Sequence, residues 1–126
     1  MKKFLICALA LIALAGCKTE PKADDRLVGT KWQTEDDLYE IFFGGVAYDV
    51  YEFVSVSQVE HYTTQNGNVV DMDGTFEYEL NYPKIVIHAT NSDGEAVDYN
   101  FTFTDSRTMV RDGVDSSNFY STYLRQ

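Results

Sequence analysis

Cysteine, proline and tryptophan are scarce in this chain of 126 residues, with two, two and one respectively, and both cysteines, Cys7 and Cys17, lie in the first seventeen positions. A disulfide framework is therefore excluded for everything downstream, and any core there holds by packing alone. Basic residues are scarce as well: ten Lys and Arg stand against twenty Asp and Glu, a formal net charge of −10. Nucleic-acid affinity rests on cationic side chains displacing counterions, so this balance excludes a nucleic-acid partner. It equally excludes adsorption to anionic head groups. No Gly-x-Ser-x-Gly elbow, His-Glu-x-x-His helix or phosphate-cradling glycine loop occurs. His61 and His88 fall on separate strands with no neighbour spaced as a second ligand, so they read as inert, solvent-facing histidines. Asp71-x-Asp73-Gly74 is a fragment of a calcium loop without its later oxygen ligands, and it reads as a turn. The expectation is a single non-enzymatic domain with no metal and no cofactor.

What is present begins with an address. Met1-Lys2-Lys3 is a basic start, and residues 4–15 (FLICALALIALA) carry no charge. As a helix rising about 1.5 Å per residue this run spans roughly 18 Å, too short for about 30 Å of hydrocarbon but suited to a secretory signal peptide. Leu14-Ala15-Gly16-Cys17 then resembles the lipobox of bacterial lipoproteins. The resemblance implies cleavage before Cys17, a diacylglyceryl group on its thiol and a membrane partner reached through that lipid. Lys18 stands where an Asp retains such proteins in the inner membrane, so the implied location is the cell envelope at the outer membrane. Acyl chains contribute about 0.8 kcal/mol per buried CH₂, which makes an anchor of two or three chains essentially permanent. Loss of residues 1–16, two of them lysines, leaves 110 residues at a net charge of −12. Residues 17–26, the lipidated Cys17 followed by a polar stretch with Pro21, read as a flexible tether. Residues 27–126 are then the folded domain.

Within that domain apolar residues alternate. Phe76, Tyr78 and Leu80 oppose Glu77 and Glu79, and Val97, Tyr99, Phe101 and Phe103 oppose Asp98, Asn100, Thr102 and Thr104. Turn signals separate the runs at Gln65-Asn66-Gly67-Asn68, Asp71-Met72-Asp73-Gly74, Asn81-Tyr82-Pro83 and Ser92-Asp93-Gly94. Eight strands follow, over 30–34, 47–54, 59–64, 75–80, 84–90, 97–104, 108–111 and 119–124. A short helix competes over 36–43, capped by Asp36 or Asp37, with Leu38, Ile41 and Phe42 on one face and Gly44-Gly45 ending it. The predicted fold class is all-β, an eight-stranded antiparallel up-and-down barrel, since closure leaves no exposed edge.

Gly29-Thr30-Lys31-Trp32 resembles the Gly-x-Trp signature of lipocalins with one extra residue, and the strand spread ending in Tyr123-Leu124-Arg125 is similar to short lipocalin-like bacterial lipoproteins, a calycin-type group. That resemblance implies that Gly29 and Trp32 mark the closed end and that Arg125 covers the tryptophan, with Arg111 as a rival. Trp32, Tyr51, Phe53, Phe76, Tyr78, Leu80, Ile85, Ile87, Tyr99, Phe101, Phe103, Met109 and Leu124 are the inward candidates. Eight strands enclose enough room to be filled by side chains or to admit one small ligand. For a small apolar or amphipathic ligand, Tyr51, Phe53, Tyr78 and Phe101 are the expected lining. The alternative is a fully packed interior and an outer aromatic and acidic face, with Tyr48, Tyr62, Tyr82 and Tyr120 meeting an envelope protein or glycan.

Overall fold

In a computed structural model, which describes residues 24–114 and 120–126, eight antiparallel strands close into a barrel in simple chain order. The strands are β1 (Lys31–Glu35), β2 (Ala47–Phe53), β3 (Gln58–Gln65), β4 (Asn68–Asn81), β5 (Lys84–Thr90), β6 (Ala96–Asp105), β7 (Thr108–Arg111) and β8 (Thr122–Arg125). Helix α1 (Asp37–Phe43) fills the β1–β2 connection. Each strand pairs with its chain neighbour, and β8 returns to β1 through Trp32 opposite Arg125. The all-β, up-and-down barrel read from the alternation is therefore the fold. Residues 1–16, Cys17 and the tether as far as Ala23 lie outside the described residues, as does Phe119.

The two ends of the barrel differ in kind. At the end where β1 begins, Leu27, Trp32, Phe53, Val59, Tyr78, Ile85, Phe103 and Met109 are all buried in one apolar cluster. The edge of Trp32 meets Phe103 at 5.1 Å, and Phe53 meets Tyr78 at 4.9 Å. Gly29 enters this end with a φ of +84°, and its amide donates to the Phe53 carbonyl at 2.8 Å. Trp32 and Arg125 line one shallow cleft with Arg26, Tyr82 and Ser106. The opposite end carries α1. Asp36 caps it by accepting from the Tyr39 amide at 2.9 Å, while Glu40 accepts from the Ala47 amide at 3.0 Å.

Three details differ from the sequence reading. Asp71 to Gly74 is not a turn: β4 runs straight through it, over fourteen residues, and absorbs the irregularity as a bulge where Gly74 opposes His61 and Met72 opposes Tyr62. The face of α1 carrying Leu38, Ile41 and Phe42 is not packed inward, Phe42 being 76% exposed. Leu124 is 52% exposed, and Tyr123 beside it takes the inward position. A shift of one residue exchanges the two faces of a strand.

Candidate functional site at the open end

The inward residues nearest α1 are polar where those at the other end are apolar. β2 and β3 pair with Tyr51 directly opposite His61, and the two rings stack at 4.3 Å and 9°. Asp49, two residues before Tyr51, shares its side of β2. Its carboxylate accepts from His61 Nε2 at 2.8 Å and from the Tyr123 hydroxyl at 2.5 Å. The other ring nitrogen, His61 Nδ1, lies 3.2 Å from Asp73 Oδ2. His61 is thus no inert solvent-facing residue. It has an inward position on β3 and is held between two carboxylates.

Asp73 reaches it because of the bulge. Counted by simple alternation from Phe76, Asp73 belongs outside, but it is the additional residue between Gly74 and Met72, and the bulge turns it toward His61. Gly74 adopts a φ of +147°, and a Cβ there would lie 3.2 Å from the Phe76 ring. A side chain is strained there by the backbone and crowded by the Phe76 ring, at the point where the strand re-aims its neighbour.

An imidazole with a carboxylate on each nitrogen is satisfied only when both nitrogens carry a proton. Burial opposes that charge, yet the Asp49 hydrogen bond and the charges of Asp49, Asp73 and Asp71 outweigh it and raise the His61 pKa. Asp49, His61 and Asp73 also present three ligand atoms mutually within 4.8 Å, the spacing of a metal-binding trio. The carboxylates approach opposite nitrogens of the ring, a geometry that suits a doubly protonated imidazole. Burial likewise pushes the Tyr51 and Tyr123 hydroxyls well above their ordinary pKa, so both remain donors.

This network forms one wall of a hollow of about 210 Å³, lined by Asp49, Tyr51, His61, Tyr99, Phe101, Arg111, Tyr120 and Tyr123. Phe101 lies below, edge-on to Tyr51 at 5.7 Å and to Tyr123 at 5.6 Å. Tyr120 closes one side by donating to Asp36 at 3.0 Å, which ties β8's approach to the cap of α1. The Arg111 guanidinium stands 4.6 Å from the centre of the Tyr99 ring. A second, more polar hollow of about 340 Å³ adjoins through His61 and Tyr99 and is lined further by Asp73, Phe76 and residues 89–92.

Of the residues expected to line a ligand, Tyr51 and Phe101 face the open-end hollow, whereas Phe53 and Tyr78 pack on each other in the apolar cluster. The Tyr78 hydroxyl donates to the Ser55 carbonyl at 2.7 Å. The four tyrosines assigned to an outer face do not form a patch. Tyr62 is buried and donates to Glu52, Tyr82 stacks on Phe103 at the apolar end, and Tyr120 lines the hollow. His88 is on the outer surface between Asp98 and Glu79, at 2.8 and 2.9 Å.

Fold and site together define a closed antiparallel barrel of eight strands, consistent with a lipocalin-like barrel, packed at one end and hollow at the other. No protein family, curated protein or solved structure matches the chain.

Proposed function

We propose that the protein is an envelope lipoprotein, held at the outer membrane by a lipid on Cys17, whose barrel is a non-enzymatic module taking one small, largely apolar ligand into its open end. The observation that carries the binding reading is the hollow of about 210 Å³ walled by Tyr51, Tyr99, Phe101, Tyr120 and Tyr123. Ligand sites are concave and mostly apolar, with a few convergent polar groups that fix orientation. A dry cavity of about 150 Å³ takes benzene, so a hollow somewhat larger suits one ring with a substituent.

His61 beside Asp49 favours catalysis only in part. A general base needs a nitrogen free to accept a proton, and both of its nitrogens already face carboxylates. The dispersal of Tyr48, Tyr62, Tyr82 and Tyr120 removes the main support for a glycan- or protein-binding face built on them, which leaves the interior as the stronger reading.

Titration of the full chain with toluene and benzyl alcohol, followed through tyrosine fluorescence, is expected to saturate. Phe101→Trp fills the hollow and is expected to abolish that signal. Failure of both probes to saturate on the unsubstituted chain would remove the reading. The anchor rests on the lipobox sequence and is tested separately: mature protein is expected to carry the mass of the lipid on Cys17, and Cys17→Ser to leave the membrane fraction. A Cys17→Ser protein that still partitions with membranes contradicts lipidation.

A further inference from the structure

The polar groups around the open-end hollow divide into those already engaged and those left over. Asp49 accepts from His61 and Tyr123, Asp73 makes an ion-pair contact with His61 at 3.2 Å, and Asp36 accepts from the Tyr39 amide and the Tyr120 hydroxyl. Asp49, the one acid in the lining of the hollow, therefore has its counterparts. The left-over groups are donors. Tyr51 is 3% exposed and packs its ring on those of His61, Phe101 and Tyr123, and its hydroxyl has no hydrogen-bond partner among the described residues. Arg111 stacks on Tyr99, and no carboxylate among the described residues pairs with it. A buried hydroxyl without an acceptor is costly to maintain, and such a group in a native structure marks a place where something else accepts; the half-buried Arg111 adds an unpaired charge at the same hollow. That both line one hollow, in a chain with twice as many acids as bases, points to an acceptor brought in from outside.

We propose that the ligand of this hollow is a small organic carboxylate, its flat apolar body of about one ring lying against Phe101 and Tyr123 and its oxygens accepting from Arg111 and the Tyr51 hydroxyl. A guanidinium offers paired N–H groups in the spacing of a carboxylate. Asp49 and Asp73 nearby repel a second negative charge, which disfavours a phosphate dianion. A cationic ligand would meet Arg111, and the one acid in the lining, Asp49, is engaged with His61 and Tyr123. The proposal rests on the reading of the hollow as a ligand site and names the class of ligand.

Benzoate, benzamide and benzylamine are similar in size and differ in charge, so calorimetric titration of the full chain with each separates the two claims. Benzoate is expected to bind about tenfold or more tighter than benzamide, as a charged hydrogen bond provides. Arg111→Gln is expected to bring benzoate down to about the affinity of benzamide, and Tyr51→Phe to weaken benzoate more than benzamide, whose carbonyl accepts from the same two donors. Equal binding of benzoate and benzamide, a preference for benzylamine, or a benzoate preference that survives Arg111→Gln would overturn the carboxylate assignment and leave the hollow a ligand site. Absence of binding by all three probes, and by the neutral probes above, removes both. The three-probe comparison on the unsubstituted chain decides the matter even where a variant does not fold.

Discussion

Trp32→Ala is expected to cost about 4 kcal/mol of folding stability, the scale for truncating a fully buried aromatic. Total stabilities of small domains lie near 5–15 kcal/mol, so this single change removes a large share. The site offers no easy collapse. Trp32 is 1% exposed, edge-on to Phe103, and embedded in a cluster supplied by all eight strands and by Leu27 ahead of β1. Its indole Nε1 donates to the Thr30 hydroxyl at 2.9 Å, which donates onward to the Leu27 carbonyl at 2.6 Å. Truncation therefore opens a cavity and breaks the hydrogen-bond relay that fixes the chain's entry into β1. Urea unfolding is the measurement: the midpoint is expected to fall with its slope unchanged. Trp32→Phe keeps most of the volume and loses the donor, for a cost of about 1–2 kcal/mol. Leu124→Ala, at an exposed position, is expected to stay within about 0.5 kcal/mol. A large loss for Leu124→Ala, or a small one for Trp32→Ala, would place the core on the wrong face of the closing strands.

That control bears on what alternation can and cannot convey. Over 76–80, 84–90 and 97–104 every second residue is apolar and, Val86 apart, the others are not, so Tyr78, Ile85, Ile87, Phe101 and Phe103 are legible as core. The last strand is ambiguous, because Tyr120 and Leu124 on one parity compete with Phe119 and Tyr123 on the other. Only the pairing of Trp32 with Arg125 and of Met109 with Tyr123 decides between them. The site was partly legible by the same rule: Asp49 shares the parity of Tyr51 and Phe53, and Arg111 that of Met109. Alternation alone gives a charged residue no reason to face inward, and a hollow with a buried network supplies that reason. Asp73 was not legible, since a bulge breaks the period on which the reading depends, and the Asp-x-Asp-Gly pattern that signals a turn in isolation here supplies the flexible glycine of that bulge.

The apolar end and the polar end thus do different work along the same strands. β2 carries both, with Phe53 in the packed cluster and Asp49 in the network, and β3 does likewise with Val59 and His61. A rigid lower half fixes the separation of β2, β3 and β4, and only with that separation fixed can three side chains from three strands meet within hydrogen-bond distance. Preorganisation of this kind lets a small site hold unmatched donors such as Tyr51 and Arg111 without collapsing onto them.

Removal of Asp49 tests that arrangement from the polar side, and Asp49→Ala is expected to cost about 3 kcal/mol, since breaking a buried ion pair strands the surviving partner. Here two partners are stranded, the His61 imidazolium and the Tyr123 hydroxyl. The pH dependence gives the sharper reading. In the unsubstituted protein burial alone would lower the His61 pKa, but the Asp49 hydrogen bond and the charges of Asp49, Asp73 and Asp71 raise it above its value of about 6.5 in the unfolded chain. The folded state then holds its proton more tightly than the unfolded state does. The stability this provides is complete below about pH 6.5 and is lost as the pH rises through the raised folded value. His88 is raised in the same direction by Asp98 and Glu79, but it sits fully exposed on the outer face and is unaffected by a change at Asp49. Asp49 also raises Asp73, which titrates in acid, and the Tyr51, Tyr120 and Tyr123 hydroxyls, which titrate only in strong alkali, so the difference between the melting profiles of the two proteins across the neutral range reports His61. With Asp49 replaced by Asn, burial regains its weight against Asp73 and Asp71. The decline in Tm from neutral to alkaline pH is then expected to flatten or reverse. Parallel profiles for the parent and Asp49→Asn would mean that His61 is not the charged centre of the network, and the assignment of protons to both its nitrogens would fall with it.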